Sequence, residues 1–284
     1  MTNSISDLLR EASQALGDAG VPEARREAGS LLSHVIGKDR TFLISHAEDI
    51  VARDDLARFR EAVTRRASGE PLQYITGVQD FYGREFRVTT DVLIPRPETE
   101  LLVEAALEVI AHKPAPLICD VGTGSGCIAI TLVCERTDAR AVAVDVSAPA
   151  LAVAEDNSRR HGVSDRMRFT ISDCFESVDR TAFDLVVSNP PYVAAAALSG
   201  LQREVRDHEP LVALSSGVDG LDVIRRLLRD APAFLKTDGY LIMEIGFDQG
   251  EKVQRLINEN LWRLDEIRPD LQGIPRIVLV QKRG

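Results

Sequence analysis

Apolar residues recur at helical spacing through the first part of the chain. The three series are Ile5, Leu8, Leu9, Ala12 and Leu16, then Ala28, Leu31, Leu32, Val35 and Ile36, and finally Leu56, Phe59, Ala62 and Val63. Spacings of three and four residues place such side chains on one face of a helix. Pro22 suits the first turn of the second helix, Gly37 suits its end, and Gly69-Glu70-Pro71 ends the last one. The pattern predicts a helical domain over residues 1–70.

Between Tyr74 and Leu93 the spacing of apolar residues becomes that of extended chain. Gly77 and Gly83 interrupt the large apolar side chains and suit turns between short strands. The apolar positions are Phe81, Phe86, Val88 and Val92. This pattern predicts a β-hairpin or extended connector over residues 71–95, placed as a hinge between two domains.

From residue 96 onward, short apolar strands alternate with helical patterns. The predicted strands run from Leu117 to Val121, Ala141 to Val144, Met167 to Ile171, Leu185 to Val187, Tyr240 to Ile245 and Ile277 to Val280. Such alternation is typical of a mostly parallel sheet covered by helices on both faces. We therefore expect residues 96–284 to form an α/β domain with a Rossmann-like sheet.

A glycine-rich turn follows the first strand of this domain. The strand leads into Gly122-Thr123-Gly124-Ser125-Gly126, and a helical pattern follows from Ile128 to Cys134. Glycines there permit unusual backbone angles and let amides at a helix start approach a ligand closely. About 20 residues further on, Asp145 ends the next strand, where a carboxylate can accept hydrogen bonds from both ribose hydroxyls. The layout predicts a nucleotide-type cofactor site.

The order of the glycines distinguishes two cofactors. NAD-binding loops follow G-x-G-x-x-G, but Cys127 stands three residues after Gly124, so this loop is G-x-G-x-G. Asp120 precedes the loop, where its charge can face the amino group of S-adenosylmethionine but would repel a pyrophosphate. We expect S-adenosylmethionine, with a tightly packed structural turn as the alternative. The predicted cofactor contacts in this region come from Asp120, Gly122, Thr123, Gly124, Gly126 and Asp145.

A further acidic position follows the strand that ends at Ile171. Asp173 could accept a hydrogen bond from an adenine amino group, and Phe175 could lie against the adenine ring. An aspartate at a strand end is often only a turn or helix cap, which is the alternative here. We expect Asp173 to contact the cofactor.

The tetrapeptide Asn189-Pro190-Pro191-Tyr192 follows the strand Asp184 to Ser188. Open α/β sheets bind ligands at the carboxyl ends of their strands. Two successive prolines fix φ and lack N–H groups, so the turn is stiff and its carbonyls stay free. The tetrapeptide therefore combines a rigid turn with free acceptors at the edge where ligands bind.

These acceptors suit an –NH2 group. The Asn189 side-chain oxygen and the Pro190 carbonyl can hold its two hydrogens, and Tyr192 can pack against the flat face of the substrate. We expect methyl transfer to a planar amide or amino nitrogen, with Asn189, Pro190 and Tyr192 as catalytic residues. Asn189, Pro190, Pro191 and Tyr192 are expected to bind the substrate, and Asn189 also to contact the cofactor. A proline-rich loop that merely ends a strand is the alternative.

Composition and charge narrow the classes of partner. A hydrophobic content of 44% can fill a core, and the formal net charge of -10 counts against a nucleic-acid substrate. No apolar run is long enough to span a bilayer and no leader-like segment is evident, so we expect a cytoplasmic protein. Cys119, Cys127, Cys134 and Cys174 form no C-x-x-C pair, and the five histidines lack a metal-ligand spacing. We therefore expect buried thiols and no metal site.

Taken together, these motifs resemble the bacterial release factor glutamine methyltransferases, the PrmC or HemK family. The resemblance covers essentially the whole chain, and the Ile94 to Glu100 block combined with the tetrapeptide is specific for this family. The matching blocks are Pro71 to Gly77, Phe81-Tyr82-Gly83, Ile94 to Glu100, the glycine loop and Asn189 to Tyr192, followed by Glu204-Val205, Glu209-Pro210, Ala213-Leu214 and Gly217 to Leu221.

The resemblance implies methylation of the side-chain amide nitrogen of the glutamine in the Gly-Gly-Gln motif of class I peptide chain release factors. It also implies a class I methyltransferase sheet, a helical domain that docks the protein substrate, and a connecting hairpin. At the matching positions, Asn189 and Tyr192 would bind the glutamine, while Gly122, Gly124, Asp145 and Asn189 would bind the cofactor. Cys174 departs from the larger residue that the family often has after Asp173, which changes the expected wall of the adenine pocket.

Two other functions remain open at the level of sequence. A DNA adenine amino methyltransferase would share the glycine loop and the tetrapeptide, but it would ordinarily need a basic target-recognition region, and none is evident. A non-catalytic cofactor-binding module would have no need of Asn189 and Tyr192 as residues aimed at an –NH2 group.

Overall fold

The computed structural model describes residues 3–284, which form two compact units. The first comprises residues 3–78 and 202–208, and the second comprises residues 79–201 and 209–284. The α-helices are α1 (Ile5–Asp18), α2 (Ala24–Ile36), α3 (Arg40–Ser45), α4 (Arg53–Ala67), α5 (Leu72–Thr76), α6 (Glu100–Ile110), α7 (Cys127–Glu135), α8 (Ala148–Arg160), α9 (Arg203–His208), α10 (Leu211–Leu214), α11 (Asp222–Asp230) and α12 (Gly250–Leu256). The strands are β1 (Val78–Phe81), β2 (Arg84–Arg87), β3 (Leu117–Val121), β4 (Arg140–Asp145), β5 (Met167–Ile171), β6 (Phe183–Ser188), β7 (Leu235–Glu244), β8 (Trp262–Pro269) and β9 (Pro275–Lys282).

The first unit is a helical bundle whose apolar faces share one core. The buried side chains follow the helical spacing of the sequence and include Leu8, Leu16, Leu31, Leu32 and Phe59. Ser4 caps α1 by accepting a hydrogen bond from the Asp7 amide, and Asp39 caps α3 in the same way. The predicted N-terminal helical domain is thus present. The short helix α3 was not predicted from the apolar pattern.

Arg66 ties three helices of this unit together. Its side chain is buried and forms ion pairs with Glu27 of α2 and with Glu204 of α9, the second at 3.0 Å. The same guanidinium donates a hydrogen bond of 3.1 Å to the Glu70 carbonyl. A buried charge is tolerated only when it is paired in this manner. The pairing explains how residues 202–208 become part of the helical unit.

The predicted hairpin is formed by β1 and β2, which make a two-stranded sheet. It begins at Val78, later than the sequence suggested, because Tyr74 lies within the short helix α5. Gly77 ends α5 in the left-handed conformation, where its amide donates to the Gln73 carbonyl. Gly77, which the sequence pattern placed at a turn between short strands, therefore ends a helix.

The second unit contains a seven-stranded sheet in the order β5-β4-β3-β6-β7-β9-β8. The first five strands in this order run parallel, while β9 pairs antiparallel with both β7 and β8. All six predicted strands are present, and β8 was not predicted. The Rossmann-like, mostly parallel sheet is thus confirmed.

Side chains along the central strands alternate between two cores, one on each face of the sheet. On β3, Ile118 packs in the core that contains α6 and α7, whereas Cys119 packs in the core that contains α11. Leu185 and Val186 of β6 divide between the same two cores. Burial on both faces explains why these strands appear in the sequence as continuous apolar runs.

Candidate functional site

A cavity of about 240 Å³ opens at the carboxyl ends of the parallel strands in the second unit. Segments after β3, β4, β5 and β6 contribute to its wall, as expected for an open α/β sheet. The lining includes Asp91, Val92, Arg96, Thr99, Gly122, Thr123, Gly124, Asp145, Asp173, Cys174, Asn189, Pro190 and Pro191. The glycine loop, the acidic strand ends and most of the tetrapeptide, which are far apart in sequence, are therefore brought together.

The glycine loop turns tightly over the end of β4. The Gly122 and Thr123 amides donate to the Val144 carbonyl at 2.9 and 3.0 Å. Gly122 and Gly124 have positive φ angles of 75° and 55°, which L side chains rarely adopt. A Cβ atom at either position would meet no other atom within 4 Å, so both glycines face open space. The loop thus leaves room for a ligand above its backbone.

Gly126 has a different role from the other two glycines. A Cβ atom there would lie 2.7 Å from Cδ1 of Ile130 and 3.1 Å from the Ala154 side chain. Gly126 does not line the cavity; it allows the start of α7 to pack closely against α8. The packing accounts for a glycine at this position, and the contact between Gly126 and the cofactor stays a prediction.

Asp120 lies beneath the loop and does not line the cavity. Its Oδ2 atom accepts hydrogen bonds from the Thr123 hydroxyl at 2.7 Å and from the Ala129 amide at 3.3 Å. Complete burial raises the pKa of Asp120 to about 7, although both bonds favour its ionised form. Oδ2 thus holds the loop to the start of α7, while Oδ1 is buried and has no hydrogen-bond partner within residues 3–284, so the contact of Asp120 with the cofactor amino group stays a prediction.

Asp145 lines the cavity at the end of β4, where the sequence placed it. Oδ2 accepts the Gly124 amide at 2.9 Å, and Oδ1 accepts the Ser147 amide at 2.9 Å. These bonds fix the plane of the carboxylate and join it to the glycine loop. Each oxygen retains a lone pair for a ligand hydroxyl.

Asp173 and Cys174 line the cavity, but Phe175 does not. Asp173 accepts two hydrogen bonds from Nη1 of Arg226, at 2.8 and 3.0 Å. Phe175 is buried and stacks on Phe234 with a centroid distance of 4.7 Å. The suggestion that Phe175 lies against an adenine ring is therefore wrong, because its ring belongs to the hydrophobic core.

A chain of hydrogen bonds connects Asn189 to a buried glutamate. Nδ2 of Asn189 donates to the Thr99 hydroxyl at 3.1 Å, and that hydroxyl donates to Oε2 of Glu244 at 2.7 Å. The Tyr192 hydroxyl donates to Oε1 of the same carboxyl at 3.4 Å. The register of the sheet explains this meeting, since Ser188 of β6 is paired with Met243 of β7.

Glu244 was missed by the sequence reasoning. It ends the apolar strand β7, has only 2% of its surface exposed, and forms no ion pair with the described residues. Burial raises its pKa to about 7, and the hydrogen bond from Thr99 opposes this shift. An acidic residue within an otherwise apolar strand run was the available signal, because such residues are rarely buried without a role.

The turn at Tyr192 is held by contacts from outside the tetrapeptide. Nε2 of Gln249 donates to the Tyr192 carbonyl at 3.0 Å and to the Gly220 carbonyl at 3.2 Å. Tyr192 does not line the cavity, and its hydroxyl is directed to Glu244. These contacts support the turn, and the packing of the Tyr192 ring against a substrate stays a prediction.

Pro190 and Pro191 both line the cavity. Within residues 3–284, no donor bonds to the Pro190 carbonyl oxygen. The use of that oxygen as an acceptor for a ligand stays a prediction, based on a turn of two prolines whose carbonyls are free of local partners.

The block from Ile94 to Glu100 contributes Pro95, Arg96 and Thr99 to the lining of the cavity. Arg96 lines it and forms an ion pair with the buried carboxylate of Glu209, which also accepts the Ile94 amide at 3.4 Å. Thr99 of the same block supplies the hydroxyl that binds Asn189. The sequence motifs around residues 94–100 and 209 thus meet at one wall of the cavity.

Comparison with known proteins identifies the family. The sequence model of the PrmC N-terminal domain matches residues 7–77, and that of the methyltransferase small domain matches residues 98–205. A release factor glutamine methyltransferase of Nitratidesulfovibrio vulgaris is 44% identical over 98% of this chain and 95% of the relative. One of Cereibacter sphaeroides is 44% identical over 96% of each chain. The chain belongs to the release factor glutamine methyltransferase family.

Solved structures agree with this family at the level of the fold. The ribosomal protein L11 methylase of Lactobacillus delbrueckii subsp. bulgaricus superposes with a TM-score of 0.51 at 20% identity, covering 72% of this chain and 90% of that one. A methyltransferase of Pyrococcus furiosus gives 0.53 at 15% identity, covering 82% and 100%. Family membership makes the chain a methyltransferase that uses S-adenosylmethionine.

The residues around the cavity fit this cofactor. Among residues 3–284, the charged side chains that line it are Asp91, Asp145, Asp173 and Arg96, of which Asp173 is paired with Arg226 and Arg96 with Glu209, so Asp91 and Asp145 leave the lining acidic. An acidic lining suits a cofactor whose sulfur is positively charged. Asp145 would hold the ribose, and Gly122 and Gly124 leave the open space beside it. S-adenosylmethionine supplies a methyl group on positively charged sulfur.

No helix within residues 3–284 combines the length and the apolar character needed to cross a lipid bilayer.

Proposed function

We propose that this enzyme methylates the side-chain amide nitrogen of the glutamine in the Gly-Gly-Gln motif of class I peptide chain release factors. The names of the full-length relatives support this substrate. The proposal includes a cytoplasmic location and no direct contact with nucleic acid or membrane. We also propose that residues 1–70 dock the release factor and that residues 71–95 connect this domain to the methyltransferase domain over 96–284.

The orientation of the Asn189 amide carries the proposal. Its Nδ2 atom is occupied by the Thr99 hydroxyl at 3.1 Å, so Oδ1 remains as the acceptor at the cavity wall. The free Pro190 carbonyl provides a second acceptor in the same rigid turn. Two acceptors match the two hydrogens of a primary amide.

These two acceptors address the weakness of an amide as a nucleophile, since its lone pair is delocalised. Hydrogen bonds to both N–H groups orient the nitrogen and increase the electron density on it. The nitrogen would gain the methyl group as the methyl–sulfur bond breaks with its electron pair left on sulfur, and would release to water one of the two protons that Asn189 and Pro190 hold. Glu244 lies one residue further from the cavity, behind Thr99, and so acts on Asn189 and not on the substrate.

A methyl-transfer assay with labelled cofactor tests the proposal. Intact release factor and duplex DNA are offered side by side to the wild-type enzyme and to the Asn189→Ala variant. We expect label on the release factor alone and a loss of about 100-fold with Asn189→Ala, since one oriented contact is removed. Label on DNA alone would contradict the proposed substrate.

A further inference from the structure

We propose that Glu244 is a positioning residue that, through the Thr99 hydroxyl, determines which atom of the Asn189 amide faces the acceptor glutamine. The inference rests on the proposed function, because it concerns the same amide substrate. Glu244 does not line the cavity, so it acts only through the residues that it contacts.

The Thr99 hydroxyl has a single hydrogen, and its direction determines how Asn189 is oriented. That hydrogen is donated to Oε2 of Glu244 at 2.7 Å. The hydroxyl oxygen can then only accept from Asn189, and the atom that donates to it at 3.1 Å is Nδ2. The ionised carboxylate therefore turns Nδ2 toward Thr99 and leaves Oδ1 as the acceptor for the substrate.

Protonation of Glu244 reverses this order. A carboxyl hydrogen on Oε2 would be donated to the Thr99 oxygen, and the Thr99 hydrogen would turn toward Asn189. The Thr99 hydrogen needs an acceptor there, which Oδ1 of Asn189 provides and Nδ2 does not, so this arrangement favours rotation of Nδ2 toward the cavity. An N–H donor facing the glutamine –NH2 group cannot hold it, so this form of the site is inactive.

The same carboxyl also holds the other end of the tetrapeptide. Oε1 of Glu244 accepts from the Tyr192 hydroxyl at 3.4 Å, and the Tyr192 carbonyl is held by Gln249 at 3.0 Å. Asn189 and Tyr192 are thus anchored to one group with 2% exposure, which no described cation pairs. A buried group with two directional partners fixes their geometry more firmly than a solvated one does.

The charged surroundings of Glu244 set the pH at which the order reverses. Arg276, on the neighbouring strand β9, lowers its pKa, whereas Glu98 beside Thr99 raises it. Burial raises the pKa of the Cys127 thiol, and the negative charge of Glu244 raises it further. Together with desolvation, these groups bring the pKa of Glu244 to about 7, so the network titrates near neutral pH.

The rate of methyl transfer in a single turnover, followed from pH 6 to pH 8.5, tests the proposal. With wild-type enzyme and release factor, we expect the rate to rise about tenfold over this range through an apparent pKa near 7. Glu244→Gln cannot ionise, so its profile should be flat. The matched control Glu251→Gln, a change at an exposed carboxylate on α12, should keep the wild-type profile.

A second pair of variants tests whether the Thr99 hydroxyl connects Glu244 to Asn189, while the carboxyl group of Glu244 is left in place. Thr99→Val removes the hydroxyl and should lower the rate about tenfold while flattening the profile, whereas Thr99→Ser should recover most of the rate and the pH dependence. Burial also raises the pKa of Asp120 to about 7, but its hydrogen bonds go to Thr123 and Ala129 and not to Asn189 or Thr99, so we expect no contribution from it to the rate profile. Calorimetric affinity for S-adenosylmethionine should be unchanged in Glu244→Gln and Glu251→Gln, since neither residue lines the cavity.

The outcomes separate this inference from the proposed function. A flat wild-type profile, or a rise near pH 7 that survives in Glu244→Gln or Thr99→Val, overturns the positioning role. Failure of Thr99→Ser to recover the rate lost in Thr99→Val also overturns it. Absence of methyl transfer to release factor by wild-type enzyme at every pH overturns the proposed function instead.

Discussion

A carboxyl group that is buried without a cation is expected to affect stability as well as chemistry. Burial raises the pKa of Glu244 to about 7, so the folded chain binds its proton more tightly than the unfolded chain does. The stabilisation is complete below the ordinary carboxyl pKa and is lost as the pH rises through about 7. We predict that wild-type enzyme loses up to about 3 kcal/mol relative to Glu244→Gln between pH 4.5 and pH 8, since one pKa unit is worth about 1.4 kcal/mol.

Denaturant unfolding of both proteins at several pH values measures this difference. Equal pH dependence of the two free energies of unfolding would show that Glu244 titrates normally. Asp120 contributes to both proteins alike and therefore cancels in the comparison.

Asp145→Ala should weaken cofactor binding much more than folding. The change removes the group predicted to accept from the ribose and also releases the Gly124 amide, which now donates to Oδ2 at 2.9 Å. A hydrogen bond to a charged group is worth about 1.5–3 kcal/mol, so the affinity should fall at least about tenfold. Titration calorimetry with S-adenosylmethionine measures it, with Asp179→Ala, at an exposed ion pair with Arg168, as the matched control. Unchanged affinity would remove Asp145 from the cofactor site.

Sequence reasoning located residues whose position follows from a strand end. Asp145 and Asn189 were found because a parallel sheet brings the carboxyl ends of its strands to one edge. The direction in which a side chain points and the depth at which it is buried were not predictable from the sequence. Asp120 lies under the loop and Phe175 lies in the core, because neighbouring residues of a chain point to opposite sides of a turn or strand. Glu244 required the register between β6 and β7, which no local pattern contains.

At the scale of elements, the tetrapeptide turn depends on a glycine in another loop. A Cβ atom on Gly220, whose φ is 77°, would lie 2.3 Å from the Tyr192 carbonyl oxygen. We predict that Gly220→Ala displaces this turn and lowers the methyl-transfer rate at least about tenfold, as misplaced catalytic groups do. Gly273→Ala is the matched control, since its φ is 81° but its Cβ would meet nothing within 4 Å.

Both variants carry the same backbone strain, about 1–2 kcal/mol, and Gly220→Ala adds the clash with the Tyr192 carbonyl, so it should lose more stability than Gly273→Ala. Only Gly220→Ala should show a lower methyl-transfer rate. If the two variants have equal methyl-transfer rates, the position of the Tyr192 turn beside Gly220 does not affect catalysis.

The success of strand prediction also has a physical explanation at this scale. Strands buried on both faces form continuous apolar runs, as β3 and β6 do, and were predicted within one or two residues. β8 was missed because most of its residues are partly or fully exposed and its sequence alternates with charges. α5 was missed because a helix of five residues has too few apolar positions to show a period.

At the scale of the whole molecule, every residue that lines the cavity belongs to the second unit. We predict that deletion of residues 1–70 leaves the affinity for S-adenosylmethionine within about twofold of wild type, because no lining residue is removed. Methylation of intact release factor should fall sharply if the helical unit docks the substrate. A short peptide containing Gly-Gly-Gln serves as the control, since its methylation should be equal with and without residues 1–70. Full activity of the truncated enzyme on intact release factor would contradict the docking role.

The location of the methyl group on the substrate tests the central claim most directly. Release factor is incubated with S-adenosylmethionine and either wild-type enzyme or Asn189→Ala, digested, and analysed by tandem mass spectrometry. The account predicts a single methyl group on the side-chain nitrogen of the Gly-Gly-Gln glutamine with wild-type enzyme and almost none with Asn189→Ala. A methyl group on any other residue, or equal methylation by both enzymes, would contradict it.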